Sequence, residues 1–383
     1  MEFICKKSDW VTGVRLACHA LGSRSSMPIL GGLKLQVEKD RLRLFATDLE
    51  RAVRCEKPVE SASSPGTVVL NGSVVSQIAS HLPEDDKISV LTDPANDAVV
   101  RLQCGEASFD LPTLPIEDYP EISPLPDAKI ATLDVAGLHR ALDQTAFAAL
   151  KAGETTRLSL TGVDVVLEGG NVKLVATNGY RLAMKVSPAT EIHEEGEFLI
   201  EAGVLADLDR VLTQAGVTTV EIHKGEGRLF FHSDAVTFVA KTIAEEFPDF
   251  ERVIPKDNPI ALRFDRRALL DTLQRIEITA AEESGAVTLR ATTEESAVRL
   301  TSSSKDKGEA EERVRLKQVP EQDIEVSFKA AYLIDALKKM NAAEIGLWLA
   351  SSEKAGLIEP TGDEIDPHDA GFLYVCMPVR LSG

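Results

Sequence analysis

The chain writes one structural unit three times, and that repetition limits its fold more than any single residue does. Near position 44 it reads Arg41-Leu-Arg-Leu-Phe-Ala-Thr-Asp48, and near 174 it reads Asn171-Val-Lys-Leu-Val-Ala-Thr-Asn178. A weaker copy, Ser296-Ala-Val-Arg-Leu-Thr-Ser-Ser-Ser304, surrounds Leu300. The leucines at 44, 174 and 300 lie 130 and 126 residues apart. Two further markers keep a similar step. One is Ala107-Ser-Phe109, Ala235-Val-Thr-Phe238 and Ala370-Gly-Phe372; the other is Val74-Val75, Val204-Leu205 and Tyr332-Leu333. A period this long is a domain, not a solenoid repeat. It divides the 383 residues into 1–127, 128–255 and 256–383.

Each unit reads as helix, strands, helix, strands. Apolar stripes at helical spacing run through Trp10, Val14, Cys18 and Leu21, through Leu138, Leu142, Thr145 and Ala149, and through Leu269, Leu270, Leu273 and Ile276. Asp134 and Asp265 are placed to cap two of these helices. Alternating segments predict strands at 33–37, 41–45, 163–167 and 172–175, with a Gly169-Gly170-Asn171 turn. Second helices are predicted at 73–82, 202–213 and 329–340. The fold class is therefore α+β, with three tandem similar domains, each a β-sheet carrying two helices. Proline-rich stretches mark the seams: Pro120, Pro124 and Pro126, then Pro248, Pro255 and Pro259. The polar run 302–312 reads as a mobile loop.

Composition narrows the function. No 18-residue apolar run is present, so no transmembrane helix is expected. The segment MEFICKKSDW lacks the apolar stretch of a signal peptide. Five cysteines without a CxxC pair read as reduced, mostly buried thiols of a cytoplasmic protein. There is no P-loop pattern, no HExxH and no zinc-type spacing, so neither ATP nor a metal is expected and no cofactor is assigned. Adjacent carboxylates such as Glu194-Glu195 and Glu245-Glu246 read as solvated surface.

The net charge of −19 argues against nucleic acid when taken as a sum. Its placement argues otherwise. The predicted helices 8–21, 73–82, 134–150, 202–215, 265–276 and 329–341 carry nine basic and eight acidic residues and no glutamate. A helical surface would be neutral to weakly basic while the remainder is strongly acidic. Fields decay over about 8 Å at physiological salt, so the near surface decides what a ligand feels.

Five motifs then bring a known family into view: Arg24-Ser-Ser-Met-Pro-Ile-Leu-Gly31, Ala46-Thr-Asp-Leu-Glu50, Ala176-Thr-Asn-Gly-Tyr-Arg-Leu182, Phe247-Pro-Asp-Phe-Glu-Arg-Val253 and Tyr374-Val-Cys-Met-Pro-Val-Arg-Leu381. In this order and spacing the chain resembles the bacterial sliding clamps, the beta subunits of the replicative DNA polymerase. The resemblance implies a head-to-tail homodimer in which each chain is half of a six-domain ring. It implies helices lining a hole around duplex DNA, held topologically and without sequence specificity, and no catalytic activity. Implied partners are the polymerase alpha subunit, the clamp-loader delta subunit, translesion polymerases and mismatch-repair proteins, all in a nucleoid-associated cytoplasmic setting.

The family's peptide pocket maps onto Leu160, Thr177, Gly179, Tyr180, Arg181, Leu182, Pro248, Arg252, Val253, Val375, Met377, Pro378, Val379, Arg380 and Leu381. Apolar anchors there would bury a client's Leu or Phe, and an Arg would fix a carbonyl or carboxylate. Leu160 and Val253 are also compatible with plain core positions. Candidate phosphate contacts are Arg24, Arg140, Arg210, Arg275, Lys338 and Lys339. The chain departs from the family pattern at Ile200-Glu-Ala-Gly203 and Leu70-Asn-Gly-Ser73, where basic residues are expected. It departs again at Leu158 and Ser159, at Tyr180, at Glu245-Glu246 and in the Ser382-Gly383 tail. Two other readings stay open: a specialised duplicate clamp with altered partner binding, and a soluble α+β enzyme.

Overall fold

A computed structural model describes residues 1–22, 27–84, 86–93, 96–121 and 123–380. Six α-helices lie among the described residues: α1 (Lys7–Cys18), α2 (Gly72–Ser80), α3 (Val135–Thr145), α4 (Ala202–Ala215), α5 (Arg266–Ile276) and α6 (Ala330–Lys338). They are the two helices expected in each third. The Asp265 carboxylate accepts the Ala268 amide at 2.8 Å, as a cap should, and Asn71 does the same for Val74 at 3.1 Å. No described helix is long and apolar enough to cross a membrane.

The chain packs as two compact units. The first takes Met1–Ala136, Thr190–Glu194 and Gly203–Thr242; the second takes Gly137–Ala189, Glu195–Ala202 and Ile243–Gly383. The central third of the sequence is thus shared between both. Hydrogen-bonded sheets explain the division. In the first unit, strand Val236–Lys241 of the central third pairs antiparallel with Arg51–Pro58 of the first third, Phe238 opposite Val53. In the second unit, strand Arg181–Pro188 of the central third pairs with Phe372–Cys376 of the last, Leu182 opposite Val375. Contacts follow the sheets across the proline-marked seams.

The first unit holds one fourteen-stranded sheet among its described residues. α1 lies on strands Arg41–Thr47 and Arg51–Pro58 and buries Trp10, Val14, Leu16 and Ala17. Phe230, Phe231 and Phe238 are fully buried in the same unit. Each such aromatic contributes on the order of 1.5–3 kcal/mol through burial. The second unit holds an eight-stranded sheet, from Gly196–Glu201 to Ile260–Asp265, and a four-stranded one ending on Gly308–Arg315.

The repeat is visible atom by atom in one turn. Thr47 Oγ1 donates to the Arg51 carbonyl at 2.8 Å and accepts the Leu49 amide at 3.1 Å. Thr177 Oγ1 donates to the Arg181 carbonyl at 2.7 Å and accepts the Gly179 amide at 3.1 Å. The Asp48 and Asn178 side-chain oxygens accept the next two amides alike. The centre of the turn has positive φ: 78° at Leu49 and 86° at Gly179.

Two expectations change. The polar run 302–312 is a hairpin, strands Ala297–Ser304 and Gly308–Arg315 in register from Ala297 opposite Arg315 to Ser304 opposite Gly308. It holds because Val298, Leu300 and Ser302 alternate inward and an Arg299–Glu311 pair joins the strands at 3.6 Å. The third aromatic marker also shifts. Tyr374, opposite Ala183, occupies the place of Phe238, and Phe372 lies two residues earlier, opposite Lys185. No disulfide joins the five cysteines, and burial pushes the thiols of Cys5, Cys18, Cys55 and Cys376 up to about 12.

Candidate functional site

The second unit gathers most of the expected pocket residues. Antiparallel pairing sets Val175, Leu182 and Val375 side by side as a buried apolar floor. Met184, Phe247, Phe250, Ile254, Ala355, Leu357 and Leu373 pack onto it. The segment after Ile243 therefore crosses this sheet face, and its two phenylalanines stand 6.2 Å apart. Val253 and Met377, 44% and 37% exposed, open the floor to solvent together with Tyr180 at 66%. A cleft of about 930 Å³ continues from Arg252, Val253, Ile254 and Met377 to Asp249, Glu353 and Lys354. A larger one, about 1090 Å³, lies beside α1, but mixed charges line it and Val11 is its one large apolar residue.

Backbone bonds fix the rim. The Met377 amide donates to the Tyr180 carbonyl and the Val379 amide to the Ser327 carbonyl, each at 2.8 Å. The C-terminal segment is thereby tied to the Thr177–Arg181 turn and to the strand Ile324–Lys329. Pro248, Pro378 and Val379 are half-buried, Arg380 is exposed, and Leu160 is buried in the short helical turn Leu158–Thr161. Leu381, Ser382 and Gly383 lie outside the described residues.

Arg181 differs from the expectation that it reaches a ligand. Its guanidinium donates to Asp335 and to the Phe147 carbonyl, both at 2.6 Å. It sits 4.6 Å from the Tyr332 ring centre and 5.3 Å from that of Phe147. Only 10% of the side chain is exposed. It anchors the turn beneath Tyr180 from behind. The arginines exposed enough to face a ligand are Arg252 and Arg380, 86% and 84% exposed, each beside a carboxylate, Asp249 at 2.7 Å and Glu353 at 3.8 Å.

The same anchor recurs in the first unit, where Arg51 donates to Asp207 on α4 at 2.5 Å. Asp207 and Asp335 hold matching places on the second helices of the last two thirds, 128 residues apart. Sequence reading missed these partners, and also Val175, Phe247 and Phe250. Phe247 and Phe250 sat inside a quoted motif; the arginine partners left no local signal.

The candidate phosphate contacts are helical. Arg140 lies on α3, Arg210 on α4, Arg275 on α5 and Lys338 on α6, with Lys339 directly after it. Arg24 lies outside the described residues. As the structure bounds them, the six helices carry eight basic and six acidic residues and still no glutamate.

Sequence models of the DNA polymerase III beta subunit match this chain from end to end: the N-terminal domain at 1–123, the central domain at 132–249 and the C-terminal domain at 251–380. The chain belongs to that family, the beta sliding clamps. The beta sliding clamp of Caulobacter vibrioides is 31% identical over 364 residues, 94% of each chain. That of Pseudomonas putida is 26% identical with both chains fully covered. A crystal structure of the DNA polymerase III subunit beta from Pseudomonas aeruginosa superposes with a TM-score of 0.90 at 26% identity, both chains fully covered. A sliding clamp from the same organism, equally similar, was solved bound to griselimycin. Three tandem clamp domains of mixed sheet and helix make up this clamp, and the matches favour an ordinary clamp over a specialised duplicate.

Proposed function

We propose that two copies of this clamp join head to tail into a closed ring of six domains, bounded in each chain near 127 and 255, and that the ring surrounds duplex DNA. The observation that carries the reading is the repeated seam. Twice within the chain an arginine after the threonine turn meets an aspartate on the next third's second helix, and a strand adds to its neighbour's sheet. A third strand addition of this kind needs a second copy. Each half of it is open. Strand Gly308–Arg315 has one described neighbour, and residues 107–112 of strand Ala107–Leu114 lack one on the side away from Asn96–Cys104. Ile278, 69% exposed, takes the place that Phe147 holds at the middle of the short turn after α3. Val74, 41% exposed, takes the place of Tyr332 on the second helix. Open edges and exposed apolar residues of this sort invite pairing.

The ring tethers its clients without catalysis of its own. Clients are the polymerase alpha subunit, the loader delta subunit, translesion polymerases and mismatch-repair proteins of the cytoplasm. Each would insert a short peptide over Leu182 and Val375, between Val253, Met377 and Tyr180, with Arg252 or Arg380 meeting its carbonyls or carboxylates. A near-neutral helical lining suits sliding, because every neutralised phosphate adds affinity and drag.

The test is retention on circular against linear DNA at raised salt, after loading. A ring stays on circles and runs off linear ends. Equal, salt-sensitive loss from both would sink the reading. Griselimycin titrated onto the chain and onto Met377→Ala tests the pocket: binding to the first, and several-fold weaker binding to the second, is expected.

A further inference from the structure

Three of the five described candidate phosphate contacts already hold a carboxylate. Arg210 donates to Asp207, which Arg51 shares. Arg275 makes a two-pronged contact with Glu312, Nε at 2.8 Å and a terminal nitrogen at 2.7 Å. Lys339 is paired with Asp143. Arg140 and Lys338 have no carboxylate within ion-pair distance among the described residues. Glu312 does not come from a helix; the hairpin strand Gly308–Arg315 brings it to α5. Asp143 reaches Lys339 from α3.

The placement of Lys339 is built in. Its carbonyl accepts from Gln144 at 2.9 Å, and the same amide nitrogen lies 2.9 Å from the fully buried Asp369. Asp369 also accepts the amides of Asn341 and Ala342. Asp143 and Gln144 thus grip one lysine at both ends.

We propose that Asp143 and Glu312 are built-in competitors of DNA phosphate, holding Lys339 and Arg275 neutralised and so limiting the clamp's grip on the duplex. The inference rests on the reading that these helices face DNA. A carboxylate presents Arg275 with the same two-oxygen geometry as a phosphate. A phosphate that displaces it must give up an existing pair, and the gain from counterion release falls accordingly. Both pairs are partly exposed, so they weaken phosphate contact without forbidding it. Arg275 holds the Glu312 carboxyl below the usual carboxylate range through its hydrogen bonds.

The experiment is a salt titration of the full chain on a short fluorescein-labelled duplex, read by anisotropy between about 50 and 200 mM. Asp143→Asn and Glu312→Gln should each steepen the log–log salt slope by about 0.9, and the double variant by about twice that. Adding Lys339→Ala to Asp143→Asn should return the wild-type slope. Glu226→Gln removes an equal charge from an exposed turn and should change nothing. Unchanged slopes in the first two variants, or an equal change in Glu226→Gln, overturn the proposal. If the wild type stays on circular DNA while the slopes do not move, this inference alone fails. If the wild type neither binds the duplex nor stays on circles, the DNA reading fails with it.

Discussion

Asp164 is the residue whose surroundings contradict its chemistry most plainly. It lies on strand Gly162–Glu168, cross-strand from Val175 and Leu199, fully buried, with neither carboxylate oxygen hydrogen-bonded. Burial, with a smaller push from Glu197 and an opposing pull from Lys173, raises it from 3.8 to about 7. A folded-state value above the unfolded one means that the native form binds the proton more tightly. Stability therefore falls as pH climbs from about 4 to about 7, and the whole cost, at most about 4 kcal/mol, is present above that. Asp164→Asn should remove this slope. In urea unfolding at pH 5 and pH 8, its advantage over the wild type should be about 2 kcal/mol larger at pH 8; parallel behaviour at both values refutes the argument. Arg181 makes the opposite case, a buried charge whose two terminal nitrogens meet a carboxylate and a carbonyl, although its Nε has no partner. Arg181→Lys keeps the charge but loses the second hydrogen bond and the two ring contacts, and should cost about 2 kcal/mol in the same assay. Neither property was legible in the sequence. Asp164 sits inside an apolar run, Val163-Asp-Val-Val166, where alternation alone gives no warning, and the Arg181 partner lies 154 residues away.

The threonine turn was the most legible element, because its hydrogen bonds are local and its residue types recur at a fixed step. It also carries a defect. Gly179 suits a φ of 86°, whereas Leu49 takes 78° with a branched side chain 39% exposed. Left-handed backbone costs such a residue on the order of 1–2 kcal/mol. Leu49→Gly should raise stability by about 1 kcal/mol, and Gly179→Ala should lower it by about as much, both read from urea midpoints. The third copy also joins its strands through three residues, 305–307, but Ser304 stands at the strand end where Thr47 and Thr177 do and its hydroxyl accepts the Lys307 amide instead, which is why its sequence match was weak. The hairpin 297–315 was misread because its strands are polar on the exposed face, and polarity was taken for disorder. Which strands pair across the seams was also beyond local pattern, since each such pairing joins residues well over a hundred positions apart.

For the whole molecule, self-association is the property with the clearest test. The wild type should run in solution near twice 41.5 kDa, and Ile278→Asp near 41.5 kDa itself. A wild-type monomer, or a variant that remains dimeric with Val74→Asp added, would remove the third seam. The sheets that cross the sequence seams have one more consequence, for synthesis. Strand Arg51–Pro58 finds its neighbour only when Val236–Lys241 has been made. At roughly 5–20 residues per second, the growing chain carries that bare edge for about ten to forty seconds. Strand Arg181–Pro188 waits about as long for Phe372–Cys376. The ribosome therefore releases a chain whose first and middle thirds have each had to hold back from sticking to strangers, and a fragment cut at either proline seam would keep that hazard for life.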